Sequence, residues 1–332
     1  MVQQGQRRLV VRRRTFGKEQ CLTISSTRTS GLVLLFLLAI ISGGTGCRRT
    51  SLPGKAQPEE AVTAGGAQSR VVKQGIRFEE VALPRENGKA GKLWVYLPDP
   101  LPQKKIGCVV IAPAGTRLFH GIGLGEGDRA EHLPYARAGF AVVAYEIDGP
   151  LEGEQPIPGQ VSDAGRAFVQ ADAGLANAQA ALLYVATRLP MVDPNRLYVA
   201  GHSSAATLAL TVAESEPTIR GCIAFSPCTD VEGRLGQDTL SELETSAPGM
   251  RSVLARTSPK NNAARLRCPL FLFHAKDDNN VPISESETFV SLVKQNNQLV
   301  KFVRAPSGGH YDGMISQGIP QAIQWLKALP TK

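Results

Sequence analysis

From about residue 75 onward, apolar positions fall into two alternating rhythms. Eight compact runs of six to eight residues read as strands: "IRFEEVAL" (76–83), "KLWVYLP" (92–98), "GCVVIAP" (107–113), "FAVVAYEI" (140–147), "RLYVAG" (196–201), "GCIAFSP" (221–227), "PLFLFHA" (269–275) and "LVKFVRA" (299–305). Between the fourth and fifth runs the spacing changes. Leu175, Ala178, Leu182, Val185 and Leu189 recur at intervals of three and four, which predicts a helix with one apolar face, closed at Pro190 before "DPNR" turns the chain into the fifth run. Strand-like runs alternating with helical ones imply an α/β domain with a mainly parallel eight-stranded sheet and helices on both faces. The first two strands, joined by the turn-like "PRENGKAG", predict an antiparallel start. No internal repeat is visible.

Ahead of this domain the pattern is different. A basic stretch leads to the apolar run "GLVLLFLLAIIS" (31–42) and then to "GGTGC", ending at Cys47. The run is too short for a comfortable membrane span and suits the core of an export signal. Charge supports this division. The net charge is +8, and residues 1–50 hold nine Lys or Arg against Glu19 alone, which leaves 28 basic and 28 acidic residues in the other 282. A neutral domain behind a basic leader excludes a nucleic-acid footprint. The expected organisation is therefore an export signal over 1–47, a Gly-, Ala- and Gln-rich flexible tether over 48–74 and one domain over 75–332. A small residue before cysteine after such a core resembles the lipobox of bacterial lipoproteins, which implies cleavage before Cys47, acylation of its thiol and a membrane-tethered, exported protein. Gly44 departs from that pattern, where a larger apolar residue is usual, and "RRTFGK" (13–18) is similar to a twin-arginine signal. An uncleaved anchor is the plainer alternative.

Four cysteines remain in the domain: Cys108, Cys222, Cys228 and Cys268. No CxxC or Cys/His spacing points to a metal site, and buried thiols are the favoured reading. An oxidising compartment would allow a Cys222–Cys268 disulfide.

The fifth strand passes into a helical run through Gly201, His202, Ser203, Ser204 and Ala205. A strand that turns sharply into a helix with serine at the apex needs small residues two before and two after, so that the backbones can pass, and Gly201 and Ala205 supply them as G-x-S-x-A. A serine nucleophile requires a general base, and the base requires an acid to fix its tautomer. "HAKDDNNVP" (274–282) offers Asp277 and Asp278 just past the seventh strand, and "APSGGHYDG" (305–313) offers His310 just past the eighth. His202 and His274 read as packed or hydrogen-bonded, His120 and His132 as solvated. The backbone N–H of Ser204, opening the helix, would face a developing oxyanion. A second donor is expected from "APAGTRLFHG" (112–121), with Gly115 preferred and Ala114 and Thr116 as rivals. "GIGLGEGD" (121–128) lacks G-K-[ST] and reads as a flexible pocket rim rather than a nucleotide loop.

Taken together, "GHSSAA" (201–206), "HAKDDNNVP" and the lead-in "SPKNNAARLRCPLFLFH" from Ser258 resemble the α/β-hydrolases of the dienelactone hydrolase and prolyl oligopeptidase catalytic-domain group. The resemblance implies the α/β-hydrolase fold and a catalytic set of Ser203, Asp278 and His310, with the spacing to Val281 and Pro282 selecting Asp278 over Asp277. It implies no cofactor. The chain lacks the HGGG-type string usual ahead of the oxyanion loop, and Ala275 replaces a usual glycine. The expected activity is hydrolysis of a small carboxylic ester through an acyl-enzyme, with a serine peptidase acting on small peptides, or a non-catalytic lipid-anchored binding module, as alternatives. About 60 residues between Cys47 and the third strand leave no room for the propeller of full-length prolyl oligopeptidases. The polar segment 227–267 is expected to form a lid or cap that shapes substrate choice.

Overall fold

The computed structural model describes residues 68–72, 75–84, 90–151 and 157–330; Cys47, the export signal and most of the expected tether lie outside them. Among these residues nine strands form one sheet: β1 Gln68–Val72, β2 Ile76–Pro84, β3 Ala90–Pro98, β4 Ile106–Ile111, β5 Ala141–Tyr145, β6 Val192–His202, β7 Gly221–Phe225, β8 Leu270–Ala275 and β9 Val300–Ala305. Their order is β1-β2-β3-β5-β4-β6-β7-β8-β9. The first three strands and the β3–β5 pair are antiparallel, and every pair from β5 through β9 is parallel. All eight expected strands form. A ninth, β1, pairs with β2 inside the stretch read as tether, an edge addition that its polar sequence "QSRVV" does not announce. Strand β6 also starts four residues early, because Val192 pairs with Ile106 before the register shifts and "DPNR" bulges out of the ladder.

Among the described residues ten α-helices connect the strands: α1 Arg129–Arg137, α2 Pro158–Gln170, α3 Leu175–Arg188, α4 Ser204–Ser215, α5 Val231–Leu235, α6 Gln237–Ser246, α7 Met250–Thr257, α8 Pro259–Asn262, α9 Ile283–Val293 and α10 Ile319–Ala328. The expected apolar face of α3 is buried through Ala178, Leu182 and Val185. Strand alternation divides the core in two. Cys108, Val110, Cys222, Ala224, Leu270 and Leu272 face one side, with α3, α4 and α9 residues, whereas Val109, Ile111, Ile223, Phe225, Phe271 and Phe273 face the other, with α1 and α10 residues. Arg129 of α1 lies 4.3 Å above the Phe78 ring and 4.4 Å above Trp94, a cation–π contact that docks α1 on β2 and β3.

Helices α5 to α8 fill the segment read as a polar cap. Its polar letters face water, while Leu240, Leu243, Met250, Val253 and Leu254 are buried. They pack against α2, so this segment is part of the core rather than a separate flap. The cysteines Cys108, Cys222, Cys228 and Cys268 are all buried free thiols, and Cys222 and Cys268 are not joined.

Candidate active site

The strand-to-helix join is built as its sequence predicts. Ser203 sits between β6 and α4 with φ 53° and ψ −121°, a conformation that costs about 1–3 kcal/mol for a residue with a side chain. Its surroundings fix it there. The Ser203 N–H donates to the Phe225 carbonyl at 2.9 Å, and the Ser203 carbonyl accepts the N–H groups of Ala206 at 3.0 Å and Thr207 at 3.1 Å. Gly201 is demanded by contact, since a Cβ there would stand 2.2 Å from the Ala205 carbonyl oxygen. The methyl of Ala205 is fully buried without displacing the turn.

The acid and base arrive on the loops after β8 and β9. His310 Nδ1 lies 2.8 Å from Asp278 Oδ2. A carboxylate only accepts, so Nδ1 carries the hydrogen and Nε2 is left as the basic nitrogen. That Nε2 is buried and has no hydrogen-bond partner, and no bond joins it to Ser203 Oγ in this arrangement. The expected Ser203–His310 link is therefore open here, as such contacts often are before substrate binds.

Asp278 is held from every side. Its Oδ1 accepts the N–H groups of Asn280 at 2.9 Å and Val281 at 3.0 Å, and its Oδ2 also meets His274 Nε2 at 3.2 Å. Burial, the largest single influence, pushes the carboxyl up. The bonds from His274, His310, Val281 and Asn280 together outweigh it and hold the group well below the usual carboxylate range. His274, read as packed or hydrogen-bonded, is both, and it is fully buried. Its Nε2 also faces the Val281 carbonyl at 2.9 Å, so Nε2 carries the hydrogen, while Nδ1 meets Ser286 Oγ at 2.7 Å. Two imidazole N–H groups thus share one carboxylate oxygen. Asp277, passed over by the motif spacing, accepts the N–H groups of Gly308 at 3.2 Å and Gly309 at 2.9 Å and so pins the loop that delivers His310. Gly308, at φ +139°, crosses within reach of Gly313, where a Cβ would fall 2.6 Å from the Gly313 Cα.

His202 supports the same loop. Its Nε2 donates to the His310 carbonyl at 2.7 Å, its ring lies 4.7 Å from the His310 ring, and its Nδ1 lies 3.7 Å from Oε1 of buried Glu131 on α1. Sequence reasoning missed Asp277 as a support and left the partners of His274 and His202 unassigned, since none of these contacts is encoded in spacing.

The oxyanion side departs from expectation. The N–H of Gly115 and that of Thr116 both donate to Ser204 Oγ, each at 3.1 Å, so the preferred second donor and one of its rivals are already engaged. A serine at the first position of a helix brings its hydroxyl to the loop amides because each helical Cα–Cβ bond tilts toward the N-terminus. The Ser204 N–H itself opens α4, where no intrahelical acceptor exists. Beside Ser204 lies a cavity of about 30 Å³, lined by Thr116, Leu118, Thr207, Val231 and Leu254 among others. A larger one of about 580 Å³, against β3, α2 and α3, contains none of Ser203, Asp278 and His310.

Two further expectations are corrected. His120 and His132, read as solvated, are buried: His120 Nδ1 meets the Gly121 carbonyl at 2.7 Å, and burial pushes His132 down to about 3. The "GIGLGEGD" stretch is anchored rather than loose at its start, through β-bridges from Gly121 to Pro150 and from Ile122 to Ile147. No group of three metal-ligating side chains is found among the described residues, and none of their helices is long and apolar enough to cross a membrane.

The family model of the prolyl oligopeptidase family matches residues 163–329, half of the chain, and that span includes Ser203, Asp278 and His310. The chain belongs to the prolyl oligopeptidase family. Among this family member's structural neighbours is a Klebsiella pneumoniae protein described as a dienelactone hydrolase, 17% identical, with a TM-score of 0.57 over 77% of this chain and 100% of that one. Acetyl xylan esterase 1 from Thermoanaerobacterium sp. is 15% identical, with a TM-score of 0.57 over 79% of this chain and 86% of its own. A puromycin-hydrolyzing peptidase of Mycobacterium tuberculosis is 17% identical, with a TM-score of 0.58 over 77% of this chain but 40% of that longer one. At these identities the likeness establishes the α/β-hydrolase fold. No curated protein sequence matches this chain.

Proposed function

We propose that this prolyl oligopeptidase family member is a serine hydrolase that cleaves small carboxylic esters through an acyl-enzyme on Ser203. The observation that carries the reading is the strained Ser203 turn together with the His310–Asp278 pair, whose free Nε2 is the base a serine needs. In this scheme His310 Nε2 takes the Ser203 proton as Oγ attacks the carbonyl carbon, and Asp278 keeps the imidazole in the Nδ1–H tautomer and stabilises its cation. The proton passes to the leaving alcohol. His310 then activates water, which releases the acid and restores Ser203. The Ser204 N–H faces the oxyanion. The ester preference draws support from neighbours described as a dienelactone hydrolase and an acetyl xylan esterase, matched over 100% and 86% of their own lengths. Hydrolysis of small peptides is the second reading, favoured by the family match itself.

Labelling with a fluorophosphonate, followed by a panel of p-nitrophenyl esters and aminoacyl anilides, tests the proposal. Ser203→Ala is expected to abolish both labelling and turnover while the fold persists by circular dichroism. Labelling retained at another serine would overturn the assignment, and anilide turnover exceeding ester turnover would move the activity to peptides.

We also propose that the protein is exported and tethered through acylated Cys47, with the basic leader, the apolar core and "GGTGC" as support. The neutral domain offers little attraction to anionic lipid, so retention depends on the lipid itself. Cys47→Ser is expected to move the activity to the soluble fraction or leave an uncleaved precursor. A cleaved N-terminus with unchanged membrane association would contradict lipidation.

A further inference from the structure

Resting on the Ser203 reading, we propose that the second oxyanion donor is the side-chain hydroxyl of Ser204, with the loop amides acting through it. A serine hydroxyl has two lone pairs and one hydrogen. Both lone pairs of Ser204 Oγ are occupied, by Gly115 N–H and Thr116 N–H at 3.1 Å each. With Cβ and two donors in place, three of the four directions around the oxygen are fixed. The hydrogen is left one direction to point.

Among the described residues nothing accepts that hydrogen, and Ser204 is only 7% exposed, so bulk water is not a ready partner. A buried hydroxyl with filled lone pairs and an unused hydrogen is matched to an arriving acceptor oxygen. The position says which oxygen. Ser204 is the first residue of α4 and directly follows Ser203. Its N–H leaves the helix at the N-terminal end, and its Cα–Cβ bond tilts toward that same end, so both donors of one residue project to the side where Ser203 stands. The site is also where the loop after β4 would otherwise deliver its amides. That loop reaches Ser204 Oγ instead, and its two N–H dipoles polarise the hydroxyl and strengthen the bond it donates.

As the substrate carbonyl oxygen gains charge, it receives hydrogen bonds from Ser204 N–H and Ser204 O–H. No covalent bond to Ser204 forms or breaks, and the hydroxyl keeps its proton. The lost HGGG-type string is then compensated, because the loop holds a donor rather than being one.

Steady-state kinetics on p-nitrophenyl acetate and on the matching thionoester test this with Ser204→Ala and Ser204→Thr, beside Ser203→Ala. For Ser204→Ala the expected result is a fall in kcat of about 10²–10³, as for other single oxyanion donors, with KM within about threefold. Ser204→Thr, which keeps the hydroxyl, should recover at least a tenth of the wild-type kcat. The oxygen-to-sulfur rate ratio should shrink in Ser204→Ala, since sulfur is the poorer acceptor and gains less from the lost donor. A kcat for Ser204→Ala within threefold of wild type, a loss confined to KM, or an unchanged oxygen-to-sulfur ratio would overturn the proposal. Folding of each variant is checked by thermal unfolding. If Ser203→Ala remains active, the nucleophile assignment fails; if it is inactive while Ser204→Ala is near wild type, only the present inference does.

Discussion

The two halves of the candidate site differ in how many groups hold them. Asp278 and His310 stand on loops with several supports: His274 and two backbone amides hold the acid, and Asp277 and His202 hold the loop of the base. Around the oxyanion position, by contrast, one side chain holds the backbone, with Ser204 Oγ gathering the Gly115 and Thr116 amides. The first half lies wholly within the span that matches the prolyl oligopeptidase family, and the Gly115 loop lies outside it. A loop outside that span can reach the same chemistry by a different contact.

The contrast can be broken most severely at Asp278. Asp278→Asn should lower kcat about 10⁴-fold, since an amide can favour the wrong tautomer of His310. A loss under tenfold would mean that His310 is oriented by something else. His274→Phe removes the second N–H on Asp278 Oδ2 and should cost less, about 10- to 100-fold. The size follows from loss of one supporting bond worth about 1.5–3 kcal/mol to a charged group. An unchanged rate would reduce His274 to packing. Asp277→Asn retains one acceptor oxygen for the Gly308 and Gly309 amides and should cost less than about fivefold in kcat/KM. A larger effect than that of Asp278→Asn would reverse the assignment of the two aspartates.

Glu214 supplies a control that touches neither half. It lies on α4, buried, with neither carboxylate oxygen hydrogen-bonded, and burial pushes its pKa well above the ordinary value despite the Arg265 charge. The folded protein therefore keeps a proton that the unfolded chain releases. Stability from this group is complete below the ordinary carboxyl pKa and declines as pH rises toward the raised one, by at most about 1.4 kcal/mol per pH unit. Glu214→Gln should flatten the fall of unfolding free energy that begins as pH rises above the ordinary carboxyl pKa, while leaving kcat within twofold. An equally steep fall in the variant would show that another group titrates.

Much of this architecture was legible in the chain. The eight strand-like runs form strands, and α3 buries the face that its spacing predicts, because periodicity records burial directly. Gly201 and Ser203 form the strand-to-helix turn, and Asp278 meets His310, as motif spacing predicts, since that spacing reflects backbone geometry. What was not legible depends on contacts distant in sequence. Ser204 and Gly115 are 89 residues apart, and His202 and His310 are 108 apart. Likewise β1 has too few apolar residues to signal a strand; its backbone finds a ladder because β2 offers an open edge. Helices α5 to α8 were hidden by composition, where polar residues outnumber the buried leucines that matter.

Leu240, Leu243, Met250 and Leu254 belong to the same packed interior as α2 and α4, and Val231 and Leu254 also line the cavity beside Ser204. A compound too broad for that cavity can be admitted only by lifting these helices, and the apolar interior this exposes costs it affinity and so shrinks the rise in melting temperature that binding gives. A compound that fits keeps the full rise. For this protein, thermal shift should sort ligands by size before any rate is measured.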